Sequence, residues 1–169
     1  QPGAILDMVV YHNELRNLQR IKEYQWSVLY ENIFYDIFKG AVAMYMMELV
    51  QKCLRQPEPN PDLFYFTEDA MLHLDKANAA VVANYPLFFA LHLANFFGFR
   101  IPDEHSETLN ILDLQEGLFV NQLPSHQNYL EGDYSAVTAQ LLRVMQPYEL
   151  EEIKLPVTVR RKLLQSFEA

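Results

Sequence analysis

Cysteine is almost absent: Cys53 is the only one in 169 residues. One thiol cannot close an internal disulfide or form a Cys-x-x-Cys zinc or redox pair. Such usage suits a reducing cytoplasm. Cys53 falls on an apolar helix face, where inert packing is the expected role. Glycine is also scarce, with 5 residues, and neither a Gly-rich phosphate loop nor a Gly-x-Ser-x-Gly elbow occurs. The usual signatures of phosphate-loop enzymes and α/β-hydrolases are therefore missing. Positive charge is in deficit: 13 Lys and Arg face 22 Asp and Glu, a formal net charge of −9. A chain so charged repels polyphosphates at long range. No secretory pattern opens the sequence. The longest apolar run, "YPLFFALHLANFFGF" over residues 85–99, reads as too short to span a bilayer and carries His92 and Asn95. A buried core helix is the expectation.

What the chain does contain is apolar mass. Half of it is hydrophobic, with 11 Phe and 10 Tyr, enough to fill a core and to set disorder aside. The length suits one domain, or one plus a fragment. The chain opens Gln-Pro-Gly directly onto a strand pattern and closes within a helical one. Both ends read as cuts in a longer protein, for which the net charge would differ.

"AILDMVVY" (residues 4–11) is β-branched and apolar, "HNE" (12–14) is a turn, and "LRNLQRIKEY" (15–24) alternates with a slip between Leu18 and Ile21, as a bulge would give. The prediction is a β-hairpin. Two strands alone are marginal in water, so it needs a larger sheet or a helical face. From residue 36 to 55 the period becomes helical, with Val42, Met46, Leu49, Val50 and Cys53 on one stripe and Glu48, Gln51 and Lys52 opposite. Asn60 and Pro61 open a second helix, to about residue 77, that buries Leu63, Phe64, Ala70, Met71 and Leu74. A third, between about 80 and 97, is apolar nearly all round and should be central, with Pro86 either starting its main body or kinking it and Gly98 closing it. Residues 109–121 read as two short strands about Gln115-Glu116-Gly117. Asp133 is expected to cap a fourth helix to about Met145, with Val137, Leu141, Leu142 and Met145 inward. A fifth follows Pro156. The fold class is mainly α, with a small β-hairpin insertion and a β-hairpin ahead of the helices.

Few constellations carry chemistry. None of the five histidines pairs at i,i+4 on a helix. Asp103, Glu104 and His105 with His126 could supply metal ligands, but a solvated loop is the default. His92 reads as a satisfied core histidine. Glu151 and Glu152 adjoin without any sign of the unlike environments catalytic carboxylates need. Against the acidic background stand two basic clusters. Arg16, Arg20 and Lys22 fall within seven positions, and Arg160, Arg161 and Lys162 are consecutive. Each is either a solvated face or a phosphate contact, for which the arginine fork is suited. Tyr24 and Trp26 beside the first cluster could stack on bases or pack at a junction.

The wording of "QPGAILDMVVYHNELRNLQRIKEY", "YDIFKGAVAMYMMELVQKCLR", "FFALHLANFFGF", "LDLQEGLFV" and "RRKLLQSFEA" resembles, in order and over nearly the whole chain, the RecO family of bacterial DNA repair proteins in its Bacteroidetes-type form. The resemblance implies an OB-fold barrel whose last strands are residues 1–28, then a helical domain over 29–169. It implies a recombination mediator and not an enzyme in the usual sense. Such a protein binds and anneals single- and double-stranded DNA, and with RecR helps load RecA onto DNA coated by single-strand-binding protein (SSB). It also takes the acidic SSB tail. No cofactor is implied. Many relatives carry a four-cysteine zinc module after the third helix; residues 100–133 here hold no cysteine, so no structural zinc is expected. By position, Arg16, Arg20, Lys22, Arg160 and Arg161 become candidate DNA contacts. A site for the tail needs an apolar pocket beside a basic residue, and Lys39, Lys52 and Arg55 are candidate rims. The alternative is an interaction module for an acidic peptide that touches no DNA itself.

Overall fold

The computed structural model describes residues 2–54 and 59–168. Strands β1 (Leu6–Tyr11) and β2 (Arg20–Trp26) form an antiparallel hairpin. The expected three-residue turn is replaced by an ordered loop over residues 12–19. There the Asn13 N–H donates to Gln19 Oε1 at 2.7 Å, and Gln19 Nε2 donates to the Asn13 and Arg16 carbonyls at 3.0 and 2.7 Å. The Leu15 N–H donates to Asn13 Oδ1 at 2.9 Å. Polar side chains satisfy the loop backbone locally and compete with the ladder. Residues 15–19, read from sequence as strand, therefore leave the sheet. The bulge is real but displaced: Val9 faces Glu23 and Val10 faces Ile21, leaving Lys22 as the extra residue.

Directly opposed residues share a face. One face of the hairpin thus carries Leu6 with Trp26, Met8 with Tyr24, and Val10 with Ile21. The other carries Asp7 with Gln25, Val9 with Glu23, and Tyr11 with Arg20. Met8, Ile21 and Tyr24 on the apolar face are all more than half exposed. Trp26 meets Phe34 edge-on at 6.3 Å, and Phe34 meets Tyr30 at 5.5 Å, so the hairpin's exit packs against the start of the helices.

Helix α1 (Ile37–Cys53) is capped by Asp36, whose carboxylate accepts from the Phe38 and Lys39 N–H groups. Helix α2 (Pro61–Lys76) starts as the Asn60-Pro61 pair predicts, with Asn60 Oδ1 accepting from Leu63. Helix α3 (Ala79–Ala94) runs through Pro86 and ends in a 3₁₀ turn, Asn95–Phe97, that Gly98 closes at φ 82°. It packs against α1, α2 and the later helices, as its apolar surface predicts. Tyr85, Leu87, Phe89 and Leu93 on it are among the most buried side chains. Including the 3₁₀ turn, Ala79–Phe97 is in fact apolar and long enough at 19 residues to cross a membrane, contrary to the sequence estimate. Its place at the centre of the helical core accounts for that composition.

Strands β3 (Ile111–Asp113) and β4 (Leu118–Val120) are the expected pair, but β5 (Tyr129–Leu130) joins the other edge of β3 to give the order β4-β3-β5. Helix α4 (Asp133–Arg143) has Gly132 at its cap position and no side-chain cap, so Asp133 contributes only its charge to the first turn. A 3₁₀ turn at Pro147–Glu152 leads to α5 (Val157–Phe167). Two expected core residues lie outside. Phe64 is 54% exposed because Leu63, Ala70, Met71 and Leu74 fill the inward stripe of α2. Met145 is 74% exposed because α4 stops before it.

Candidate functional site

Arg20 and Lys22 stand exposed on β2, Arg20 on the polar face and Lys22 at the bulge, 3.8 Å from Glu23. Arg16 lies in the preceding loop and not on a strand. In α5, Leu163 is fully buried, which turns Thr158, Arg161, Lys162 and Gln165 outward at i, i+3, i+4 and i+7 spacing. Arg160 departs from the expected cationic surface. It is half-buried, and its Nη1 lies 3.5 Å from Oδ1 of the buried Asn84. Asn84 Nδ2 donates to the Ile153 and Leu150 carbonyls at 2.6 and 3.2 Å. Arg160 therefore belongs to a polar tie between α3 and the segment leading into α5. The two clusters sit on separate elements, the hairpin and the last helix.

The partner candidates separate as well. Lys52 is exposed near the end of α1, and Arg55 lies outside the described residues. Lys39, expected at an exposed rim, is instead buried: its Nζ donates to the main-chain oxygen of Asp75 at 2.7 Å. The Asp75 carboxylate is occupied elsewhere. It accepts the Glu31, Asn32 and Ile33 N–H groups at 2.9, 2.8 and 2.8 Å, and Asn32 Nδ2 reaches the Asp75 carbonyl. Burial would push the Asp75 carboxyl up, but the three N–H donors and Lys39 outweigh it and hold it below the usual carboxylate range. Lys39 also lines a hollow of about 400 Å³ with Asp36, Phe38, Ala77, Ala79, Val82 and Ala83. An ammonium with one partner among the described residues has N–H donors left to offer a carboxylate, although Asp36 at the rim of the same hollow already supplies one negative charge. A second, larger hollow of about 590 Å³ runs along the start of α1, lined by Phe34, Tyr35, Ile37, Gly40, Ala41 and Met44 among others.

The histidines and carboxylates around the small sheet disperse to different partners. Arg143 donates to both Asp103 oxygens at 2.8 and 2.9 Å. The His105 ring meets Phe119 edge-on at 5.4 Å. His126 Nδ1 accepts the Asn128 N–H, which leaves Nε2 to donate to Asp113 Oδ2 at 3.2 Å. Among the described residues no three His, Cys, Asp or Glu side chains group as metal ligands would. His92 is half-buried over Phe88, ring centroids 4.3 Å apart, and among the described residues its Nε2 has no partner. Its burial lowers its pKa, partly opposed by the Val144 backbone. The sequence reading of a satisfied histidine does not hold for that nitrogen. Glu151 and Glu152 are simply exposed.

Three polar residues that organise these surfaces, Asp75, Asn84 and Asp113, escaped the sequence reading. For Asp75 a signal existed. It stands four residues after Met71 on the inward stripe of α2, where a carboxylate must find donors.

These features define a mainly helical domain with exposed cations, apolar hollows and a hairpin whose apolar face is open. A family model described as "Recombination protein O C terminal" matches residues 35–169. The chain belongs to that family. The DNA repair protein RecO of Flavobacterium johnsoniae is 30% identical over 119 residues, covering 70% of this chain and 49% of the relative. That of Bacteroides fragilis strain YCH46 is 28% identical over 147 residues, covering 85% and 60%. That of Porphyromonas gingivalis is 26% identical over 162 residues, covering 94% and 65%. The match thus spans from about half to two thirds of these relatives. No solved structure matches the chain.

Proposed function

We propose that this chain acts in DNA repair as part of a recombination mediator. It binds and anneals single- and double-stranded DNA and, with RecR, helps load RecA onto DNA coated by SSB, by binding alone and without chemistry of its own. The setting is the cytoplasm, at the nucleoid. In this reading residues 1–28 are the closing strands of an OB-fold barrel, whose interior is the apolar face of β1 and β2. Residues 29–169 are the helical domain, with its insertion near 109–121. Membership of the family supports the reading. The observation that carries DNA contact is the outward stripe of α5, where Arg161 and Lys162 share a solvent face while the core holds Leu163.

Each phosphate neutralised releases condensed counterions, so affinity should fall steeply with salt, at a log–log slope of about −0.9 per contact on duplex DNA. Replacing Arg16, Arg20 and Lys22 together by alanine, and separately Arg161 and Lys162, should flatten that slope in each case. Salt-independent DNA binding, or variants indistinguishable from the parent, would sink the assignment.

A second reading rests on Lys39. The hollow beside it offers a buried cation on a wall that is apolar apart from Asp36, close to the pairing that an acidic tail with an apolar terminus, such as that of SSB, requires. Titration with an acidic peptide ending in phenylalanine separates the readings. Tight peptide binding without DNA binding would make this chain an interaction module alone.

A further inference from the structure

The hairpin loop presents a feature that neither the cationic clusters nor the hollows use. Leu15 is 96% exposed and Leu18 86%, so both side chains stand almost wholly in water. Leucines so placed forgo the stabilisation that burial supplies, and none of the described residues covers them. Yet the loop is not slack. Asn13 and Gln19 clamp it through the hydrogen bonds between their side chains and the loop backbone, and the Arg16 N–H returns to the Asn13 carbonyl at 3.0 Å. Two exposed leucines held in an ordered loop can enter an apolar environment at little ordering cost.

The charge around them indicates which environment. Between residues 12 and 23 there are three cations, Arg16, Arg20 and Lys22, against two carboxylates, Glu14 and Glu23, and Glu23 lies 3.8 Å from Lys22, which leaves Arg16 and Arg20 as the loop's outward cations. This local excess opposes the sign of the whole chain. Arg16 sits between the leucines in sequence, and Arg20 and Lys22 follow on the exposed strand. Cations that anchor on phosphates, with aliphatic side chains between them, match the wedge used to part a base step. Aromatic rings would instead form a platform for the bases of a single strand; leucine offers none.

We propose that Leu15 and Leu18 form an apolar wedge that inserts into a base-pair step of duplex DNA, with Arg16 and Arg20 on the flanking phosphates. The proposal rests on the DNA-binding reading above, and the test separates the two. The whole chain is titrated onto a short duplex carrying 2-aminopurine, whose fluorescence rises on unstacking, at several salt concentrations. The variants are Leu15→Ser with Leu18→Ser, and Arg16→Ala with Arg20→Ala. Circular dichroism should show both folded as the parent, since all four side chains are exposed. The parent should raise the fluorescence. The leucine variant should lose that rise and bind about tenfold more weakly, with an unchanged salt slope because no counterion contact is removed. The arginine variant should flatten the slope. If the leucine variant keeps the parent's affinity and signal, the wedge is wrong while the cationic reading stands. The wedge falls equally if that variant loses only a protein partner. A parent that shows no salt-dependent DNA binding overturns both.

Discussion

The ammonium of Lys39 donates to the main-chain oxygen of Asp75, and not to its carboxylate. The carboxylate is committed to three consecutive backbone N–H groups at residues 31–33, so one residue near the end of α2 fixes both the entry to α1 and a side chain on α1. The result is a junction in which the segment leaving the hairpin is held by charge-assisted bonds in a buried setting.

Asp75→Ala should therefore destabilise the chain by about 2 kcal/mol, because three amides, that of Ile33 buried and those of Glu31 and Asn32 partly so, lose a charged acceptor. Urea unfolding at neutral pH measures this. The sign of the pH effect follows from the depressed carboxyl. Its stabilisation is complete above the ordinary aspartate range and is lost as pH falls through the lower, folded value. The parent should lose stability below about pH 4, and the variant should lose less over the same interval. A parent and variant with parallel acid profiles would mean that Asp75 contributes no linkage.

Arg160 and Arg161 are neighbours with opposite fates, which makes them a paired test. Arg160→Ala removes a half-buried side chain against Asn84 and should lower stability by about 1 kcal/mol. Arg161→Ala, on the solvent face, should leave stability within about 0.5 kcal/mol and act on the salt slope of DNA binding. Thermal unfolding and salt-dependent titration of both variants check this. Equal losses of stability would place Arg161 in the fold.

That contrast also marks where sequence reading reaches its limit. The helix start at Asn60 and Pro61, the Gly98 stop, the central place of α3 and the β3–β4 turn all rest on patterns written in the sequence. The inward turn of Arg160, the burial of Lys39 and the pairing of His126 with Asp113 each need a partner many residues away. Strand β5 is two residues long and exists only because β3 offers an edge. Residues 15–19 fit a strand pattern but went to a loop, because Asn13 and Gln19 satisfied the backbone first. The candidate DNA contacts were therefore visible as residue types, while their division into exposed and buried was not.

Asp113 and Asp103 show that a carboxylate's worth depends on burial. Asp113 is buried, accepts the Gln115 and Glu116 N–H groups at 2.9 and 3.1 Å and holds His126. Burial would raise its pKa, yet these donors hold it below the usual range. Asp113→Ala should cost about 2 kcal/mol. Its stabilisation, too, should fade as pH drops through the depressed value. Asp103 pairs with Arg143 in good bidentate geometry, but both side chains are about half exposed. Asp103→Ala should cost less than about 1 kcal/mol and less still in high salt. Chemical denaturation of both variants at two salt concentrations distinguishes them.

Gly98 and Gly117 both hold left-handed backbone, at φ 82° and 67°, but their surroundings differ. A Cβ at Gly98 would meet nothing within 4 Å, whereas one at Gly117 would lie 3.1 Å from the Phe99 ring. Gly98→Ala should therefore cost only the backbone strain of an L-residue in this region, about 1 kcal/mol. Gly117→Ala adds the displacement of Phe99, which lines a small hollow with Leu91, Ile101 and Phe167. Its loss should exceed that of Gly98→Ala by a further fraction of a kilocalorie or more. Replacing Phe99 by leucine in the Gly117→Ala background should recover part of the difference, because the shorter side chain no longer reaches the new Cβ. Equilibrium unfolding of the two single variants and the double variant gives the comparison. Equal costs at the two glycines would show that Phe99 yields freely and that backbone strain alone sets the loss.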